Sequence, residues 1–286
     1  MPTTRTEAVV DDLIDLDTGA RLHYRRIGVG EPLLLAMGTA ASLGMWKPVE
    51  TSLADGFDLV SFDYRGLGES ERGNGTINVA TLAEDAHALL ESLSIPRAHV
   101  LGWSLGSVVA QELALSHPEQ VASLVLYGTW GRPDGVMAAL MTALKYPWET
   151  GDLATALATL GVVYSAEFLA SDEFAEFLAW TAPLTPTTPE QIQTVAEQWE
   201  ADINFDSLDR VATIAAPTLA LTGEHDIITP PRHGRAVAER IPGATFELMT
   251  GTGASHGLMF ERTDDFLRTV LSFLEQHRSG ANRSHS

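Results

Sequence analysis

The stretch Ala98-His99-Val100-Leu101-Gly102-Trp103-Ser104-Leu105-Gly106-Ser107-Val108-Val109-Ala110 constrains this chain more than any other. It reads as a short apolar strand, a turn flanked by glycines, and a helix. In a strand–Gly-x-Ser-x-Gly–helix unit the turn holds its serine in a strained backbone conformation, so the hydroxyl projects clear of the sheet edge. A Cβ at either glycine would collide where strand and helix approach. Ser104 is therefore a candidate nucleophile. A serine hydroxyl reacts poorly at neutral pH without an adjacent base, an acid to orient that base, and donors for the developing oxyanion.

The rest of the chain has the rhythm such a site needs. Residues 12–17 and 21–27 are short strand candidates joined by the turn Asp17-Thr18-Gly19-Ala20, a hairpin. Residues 21–26 alternate polar and apolar, which predicts an edge strand with one wet face. The continuous apolar run at 32–37 suits a strand buried on both faces, and further strands are expected at 57–63, 98–103, 122–128, 217–223 and 245–249. Helical spacing separates them at 46–53, 79–93, 106–117 and 232–241, and a closing helix is expected over 264–276. The reading is an α/β fold with a mostly parallel eight-stranded sheet covered by helices. Sites in such sheets lie at the carboxyl ends of the strands, where Ser104 falls.

The texture changes from 130 to 208. Helical patterns run over 136–146, 153–169, 173–180 and 189–199, broken by Pro147, Pro183, Pro186 and Pro189, with no buried-strand run. We expect an all-helical cap (130–208) inserted after the sixth strand of a core domain formed by 1–129 and 209–278. Residues 1–10 read as a loose arm and 279–286 as a disordered polar tail. Most of the cap's large apolar residues (Met137, Met141, Tyr164, Phe168, Phe177, Trp180, Trp199) are expected to form its own core, with a few facing Ser104. Gly38, Trp103, Trp130 and Met137 are the candidate pocket residues.

With 18 Lys and Arg against 38 Asp and Glu, the net charge of −20 argues against nucleic acid or anionic membrane as a partner. A small molecule is the expected partner. The absence of cysteine removes disulfides, thiolate metal sites and a cysteine nucleophile. No His/Asp/Glu cluster has metal-ligand spacing, and Gly66-Leu67-Gly68 lacks the third glycine of a dinucleotide loop, so no cofactor is expected. The N-terminus carries no signal-peptide pattern and no run reaches membrane-spanning length, which makes a cytoplasmic location the expectation.

In this kind of fold the acid and base follow the serine in the order Ser, Asp/Glu, His. Downstream, Glu224 and Asp226 lie past the strand at 217–223, and the histidines are His225, His233 and His256. His256, in the loop Gly251-Thr252-Gly253-Ala254-Ser255-His256-Gly257 after the last strand, is the best base. Asp226 is the best acid; a helix cap is its alternative role, and Asp134 is the runner-up acid. The oxyanion donors are expected to be the backbone N–H groups of Leu105, at the helix start, and Thr39, with Gly38 making room.

These positions resemble the α/β-hydrolase fold superfamily over nearly the whole chain. The marks are Met37-Gly38-Thr39, Asp63-Tyr64-Arg65-Gly66-Leu67-Gly68-Glu69-Ser70, Gly102-Trp103-Ser104-Leu105-Gly106, Gly223-Glu224-His225-Asp226-Ile227-Ile228-Thr229-Pro230 and Ser255-His256-Gly257, in that order. The resemblance implies a triad of Ser104, Asp226 and His256, an oxyanion hole from Leu105 and Thr39, and a structural role for the turn at 63–70. Most members carry His-Gly where this chain has Met37-Gly38, an opening familiar from bacterial esterases resembling aclacinomycin methylesterase. Ser107 stands where a third glycine is common. The expected activity is cofactor-free hydrolysis of a small to medium, largely apolar carboxylic ester through an acyl-enzyme. The same groups also serve perhydrolysis, lactone, amide or C–C hydrolysis. A non-catalytic receptor on this scaffold would not need all three side chains.

Overall fold

The computed structural model describes residues 9–279. Most of the expected arm and all but one residue of the expected tail lie outside the described residues. Strands β1 (Val10–Asp15), β2 (Arg21–Ile27), β3 (Glu31–Ala36), β4 (Phe57–Phe62), β5 (Ala98–Trp103), β6 (Val121–Tyr127), β7 (Thr218–Gly223) and β8 (Thr245–Met249) form one sheet in the order β1-β2-β4-β3-β5-β6-β7-β8. β2 runs antiparallel to both its neighbours, and every other pair beyond it is parallel.

The helices are α1 (Lys47–Ala54), α2 (Val79–Ser92), α3 (Leu105–Ser116), α4 (Gly135–Glu149), α5 (Leu153–Ala158), α6 (Ala166–Leu169), α7 (Asp172–Thr181), α8 (Pro189–Asn204), α9 (Pro231–Ala238), α10 (Leu258–Glu261) and α11 (Thr263–Gln276). Alternation along each central strand divides the core into two layers. Leu34, Ala36, Val60, Val100 and Leu124 share a buried cluster with α2, α3 and α9. Leu33, Leu35, Leu59, Leu101 and Val125 share the other with α1 and α11. Strands apolar on both faces are what a helix-covered parallel sheet requires.

Two expectations need correction. β2 is an interior strand, not an edge: β1 pairs along its whole length from Val10↔Arg26 to Asp15↔Arg21. Its polar side chains are kept because each finds an acid. His23 Nδ1 lies 2.7 Å from Asp63, Arg25 Nε donates to Asp11 at 2.9 Å, and Arg26 Nη2 donates to Asp58 at 2.6 Å. Second, the single helix expected over 153–169 is divided. α5 stops at Ala158, a 3-10 turn covers Thr159–Val162, and Ser165 caps α6 by accepting from Phe168 N at 3.2 Å. Between them the Val163 carbonyl accepts from Gly257 N at 2.9 Å, which ties this segment to the loop carrying His256. The chain between β6 and β7 carries helices α4 to α8 joined by loops and short 3-10 turns, with no strand among the described residues.

Candidate active site

Ser104 joins β5 to α3 with φ 54° and ψ −120°, a conformation in which an L-residue is strained by roughly 1–3 kcal/mol. The surroundings hold it there. Ser104 N donates to the Tyr127 carbonyl at 2.9 Å, and its own carbonyl accepts from Ser107 N at 2.8 Å and the Ser107 hydroxyl at 2.6 Å. Ser107 thus does with a hydroxyl what a glycine there could not. The flanking glycines are obligatory: a Cβ on Gly102 would lie 2.1 Å from the Gly106 carbonyl oxygen, and one on Gly106 would lie 1.9 Å from that of Ala36.

Asp226 lies three residues beyond β7, and His256 in the loop after β8. Their side chains meet, with Asp226 Oδ2 2.8 Å from His256 Nδ1. An ionised acceptor there fixes the proton on Nδ1 and leaves Nε2 as the free acceptor. Asp226 is itself pinned. Oδ1 accepts from Ile228 N at 3.0 Å and Thr229 N at 2.8 Å, and Oδ2 accepts the Thr229 hydroxyl at 2.7 Å. It organises its own loop but does not cap α9, whose N-cap is Pro230. The His256 carbonyl accepts from Trp103 Nε1 at 3.2 Å and from the Tyr127 hydroxyl. Burial pushes the Tyr127 phenol well above its usual range, so it remains a donor. Ser104, Asp226 and His256 are all buried, and Ser104 and His256 line one cavity.

Leu105 is the first residue of α3, so its N–H has no helical acceptor. Among the described residues neither this N–H nor that of Thr39 donates to a protein group. Gly38 lies against the serine: a Cβ there would approach Ser104 Cβ to 3.3 Å and Trp103 Cε3 to 3.4 Å.

The cavity measures about 140 Å³. That is near the size of an engineered apolar cavity of about 150 Å³ that accepts benzene. Its far wall comes from the helical insertion, including Leu144, Trp148, Tyr164, Phe177 and Trp199, and among the described residues His256 and Tyr164 are the only ionisable groups on the lining. Of the candidate pocket residues, Gly38 and Trp103 lie on its lining, and Trp130 and Met137 do not. Both are packed into the core cluster shared with α3. Gln111 of α3 donates to the Trp130 carbonyl at 2.9 Å and draws this segment under the sheet edge. Position just after β6 therefore did not mean exposure to the cavity.

The rejected acids and bases have other work. Asp134 caps α4 through Val136 N and Met137 N and pairs with Arg232 at 2.7 Å; those contacts hold its carboxyl down at about 2. His225 and Glu224 are exposed. Four residues that the sequence reading passed over also serve the site. Thr229 and Tyr127 contact the Asp226–His256 pair, and Gln198 and Asp202 of α8 contact the Thr39 loop. Only Thr229 had a readable signal, since Asp-x-x-Thr is a local side chain–backbone turn pattern.

Residues 31–261 match the family model described as the alpha/beta hydrolase fold. The chain belongs to that family. The α/β-hydrolase assignment has further support. A relative from Azorhizobium caulinodans, provisionally named carbamate hydrolase RutD, is 30% identical over 255 residues, covering 89% of this chain and 95% of its own. A Mycobacterium tuberculosis protein, provisionally named non-heme bromoperoxidase BpoC, is 31% identical over 263 residues, covering 88% and 97%. Among solved structures, the enol-lactonase from Burkholderia xenovorans LB400 aligns with a TM-score of 0.82 at 27% identity, over 92% of this chain and all of that one. The protein is an enzyme of the α/β-hydrolase type. Among the described residues no helix is long and apolar enough to cross a membrane.

Proposed function

We propose that the enzyme hydrolyses a small to medium, uncharged, largely apolar carboxylic ester in the cytoplasm, with Ser104 as nucleophile, His256 as base and Asp226 as its orienting acid. The observation that carries this reading is the 2.8 Å Asp226–His256 contact beside a cavity that Ser104 also lines. His256 takes the Ser104 proton as Oγ adds to the ester carbonyl. The Leu105 and Thr39 N–H groups bind the oxyanion. His256 then gives the proton to the departing alcohol, and the acyl group stays on Ser104. A water deprotonated by the same imidazole attacks the acyl-enzyme and releases the acid. The helices between β6 and β7 act as a cap, and their lining selects substrates without charge. The test is turnover of p-nitrophenyl butyrate with fluorophosphonate labelling of the chain. Both should vanish in Ser104→Ala; labelling that persists undiminished there would sink the assignment.

The likeness to an enol-lactonase favours a second reading, in which the ester is cyclic. The steps are unchanged, except that the alcohol formed on ring opening stays attached to the acyl group. A panel of open-chain esters and lactones separates the two by relative kcat/KM.

A further inference from the structure

The oxyanion loop is fastened from outside the sheet. Thr39 Oγ1 donates to Asp202 Oδ2 at 2.6 Å, and Ala40 N donates to Gln198 Oε1 at 3.0 Å. Both acceptors belong to α8, one turn apart on the same face. Ala40 sits at φ 63°, one of three non-glycine residues with positive φ among the described residues. Strain of this kind persists only where neighbouring groups over-determine it.

The acceptors themselves are costly. Gln198 and Asp202 are wholly buried, and among the described residues Gln198 Nε2, Asp202 Oδ1 and the Thr194 hydroxyl one turn earlier have no hydrogen-bond partner. A buried polar atom without a bond keeps its desolvation cost uncompensated. A helix face kept polar at that cost points to a task other than stability. Burial pushes the Asp202 carboxyl up to about 8. It therefore accepts the threonine hydroxyl at neutral pH without setting a negative charge behind the oxyanion.

The same helix reaches the cavity. Trp199, between the two acceptors in sequence, lines the cavity. α8 is also anchored on the turn that follows β4: Gln191 Nε2 donates to the Gly68 carbonyl at 3.3 Å, and Arg72 pairs with Glu197 at 2.5 Å. A Cβ on Gly66 would fall 2.5 Å from the Thr194 hydroxyl.

We infer that Gln198 and Asp202 are positioning residues for the oxyanion hole, holding the Thr39–Ala40 backbone so that the Thr39 N–H points at the developing charge. Because Trp199 touches the substrate on the same helix, contacts made by the apolar part of the substrate are passed to the oxyanion loop. This rests on the hydrolase reading, in which Thr39 N–H is an oxyanion donor.

The experiment begins with p-nitrophenyl butyrate turnover by the unaltered chain and by Ser104→Ala. Absence of Ser104-dependent turnover removes the hydrolase reading itself. Given such turnover, Gln198→Leu and Asp202→Leu should each lower kcat by about ten- to a hundredfold while KM stays within about threefold, because a misplaced donor is lost in the transition state alone. Asp202→Asn keeps a neutral acceptor and should restore kcat to within about threefold. Should the leucine variants fail to fold, Thr39→Val removes the same hydrogen bond by an isosteric change and should show the same fall, with Thr39→Ser as its rescue. Wild-type kcat in Thr39→Val or in a folded Gln198→Leu, or a loss confined to KM, would overturn the inference while leaving the hydrolase reading standing.

Discussion

The Thr229 hydroxyl donates at 2.7 Å to Asp226 Oδ2, the same oxygen that faces His256 Nδ1. With Ile228 N and Thr229 N on Oδ1, the carboxylate has four donors around it and one orientation. That arrangement fixes the carboxylate and, through it, the ring it contacts.

Asp226→Asn tests that pair directly. A carboxamide keeps the shape, but it turns its NH₂ or its oxygen to His256 according to the surrounding donors. Two backbone donors already demand an oxygen at the Oδ1 position, so the amide nitrogen meets Nδ1 and drives the imidazole proton to Nε2. The imidazole then cannot accept the serine proton. We expect kcat for p-nitrophenyl butyrate to fall by roughly 10³–10⁴-fold with the fold intact by circular dichroism. A loss under tenfold would mean that another group orients His256.

Gly106→Ala tests the elbow. The added Cβ would lie 1.9 Å from the Ala36 carbonyl oxygen and 2.7 Å from that of Met37, both backbone atoms of β3 and its exit. Neither can move without opening the central β3–β5 ladder. The variant should lose at least about 3 kcal/mol in urea denaturation, or fail to accumulate as folded protein. Near-native stability would show that α3 can shift away from β3.

The order of elements was readable in the residues because each central strand is apolar on both faces and each glycine-bounded turn ends one. Val100 and Leu101 already divide between the two core layers by alternation alone. Ser104, Asp226 and His256 were readable for the same reason: each follows a strand, and strand ends in a parallel sheet share an edge. The cavity wall was not. Met137 and Trp199 are both apolar residues of the insertion, yet one enters the core and the other the cavity. Helical periodicity gives the width of an apolar face and not which neighbour covers it. The acceptors on α8 were hidden more deeply. Gln198 and Asp202 are separated from Ala40 and Thr39 by more than 150 residues, and polar residues on a helix read as a solvated face.

Glu261 tests how far the loop of His256 depends on the insertion. Its Oε1 accepts Ser165 N at 3.0 Å and the Ser255 hydroxyl at 2.5 Å, and its other oxygen accepts the Ser165 hydroxyl. One carboxylate thus joins the residue before His256 to the N-cap of α6. In Glu261→Ala the loop loses that brace but keeps the Trp103 and Tyr127 donors on the His256 carbonyl. kcat should drop by about tenfold, short of the roughly hundredfold that a 1 Å displacement can cost. Ser165→Ala should reproduce part of that loss; an unchanged kcat in both would show that the brace carries stability alone.

The pH dependence of stability isolates Asp202. Its carboxyl is raised to about 8 in the folded protein by burial, with the Thr39 hydroxyl opposing, while the unfolded chain ionises near about 3.9. Between those values the folded state holds a proton that the unfolded state has released. Folding therefore becomes less favourable as pH rises through this window, with a slope of at most about 1.4 kcal/mol per pH unit, and Asp202 adds no further slope above pH 8. His23 works over a different range. Hydrogen bonding to Asp63 raises it to about 9, so its contribution is full below about 6.5 and is lost as pH rises through 9. Subtracting the urea-denaturation curve of Asp202→Asn from that of the unaltered chain removes the His23 contribution, which both share. The difference should fall steadily from pH 5 to 8 and flatten beyond. Parallel curves across that range would mean that Asp202 is already ionised in the folded enzyme, with a negative charge lying against the Thr39 hydroxyl.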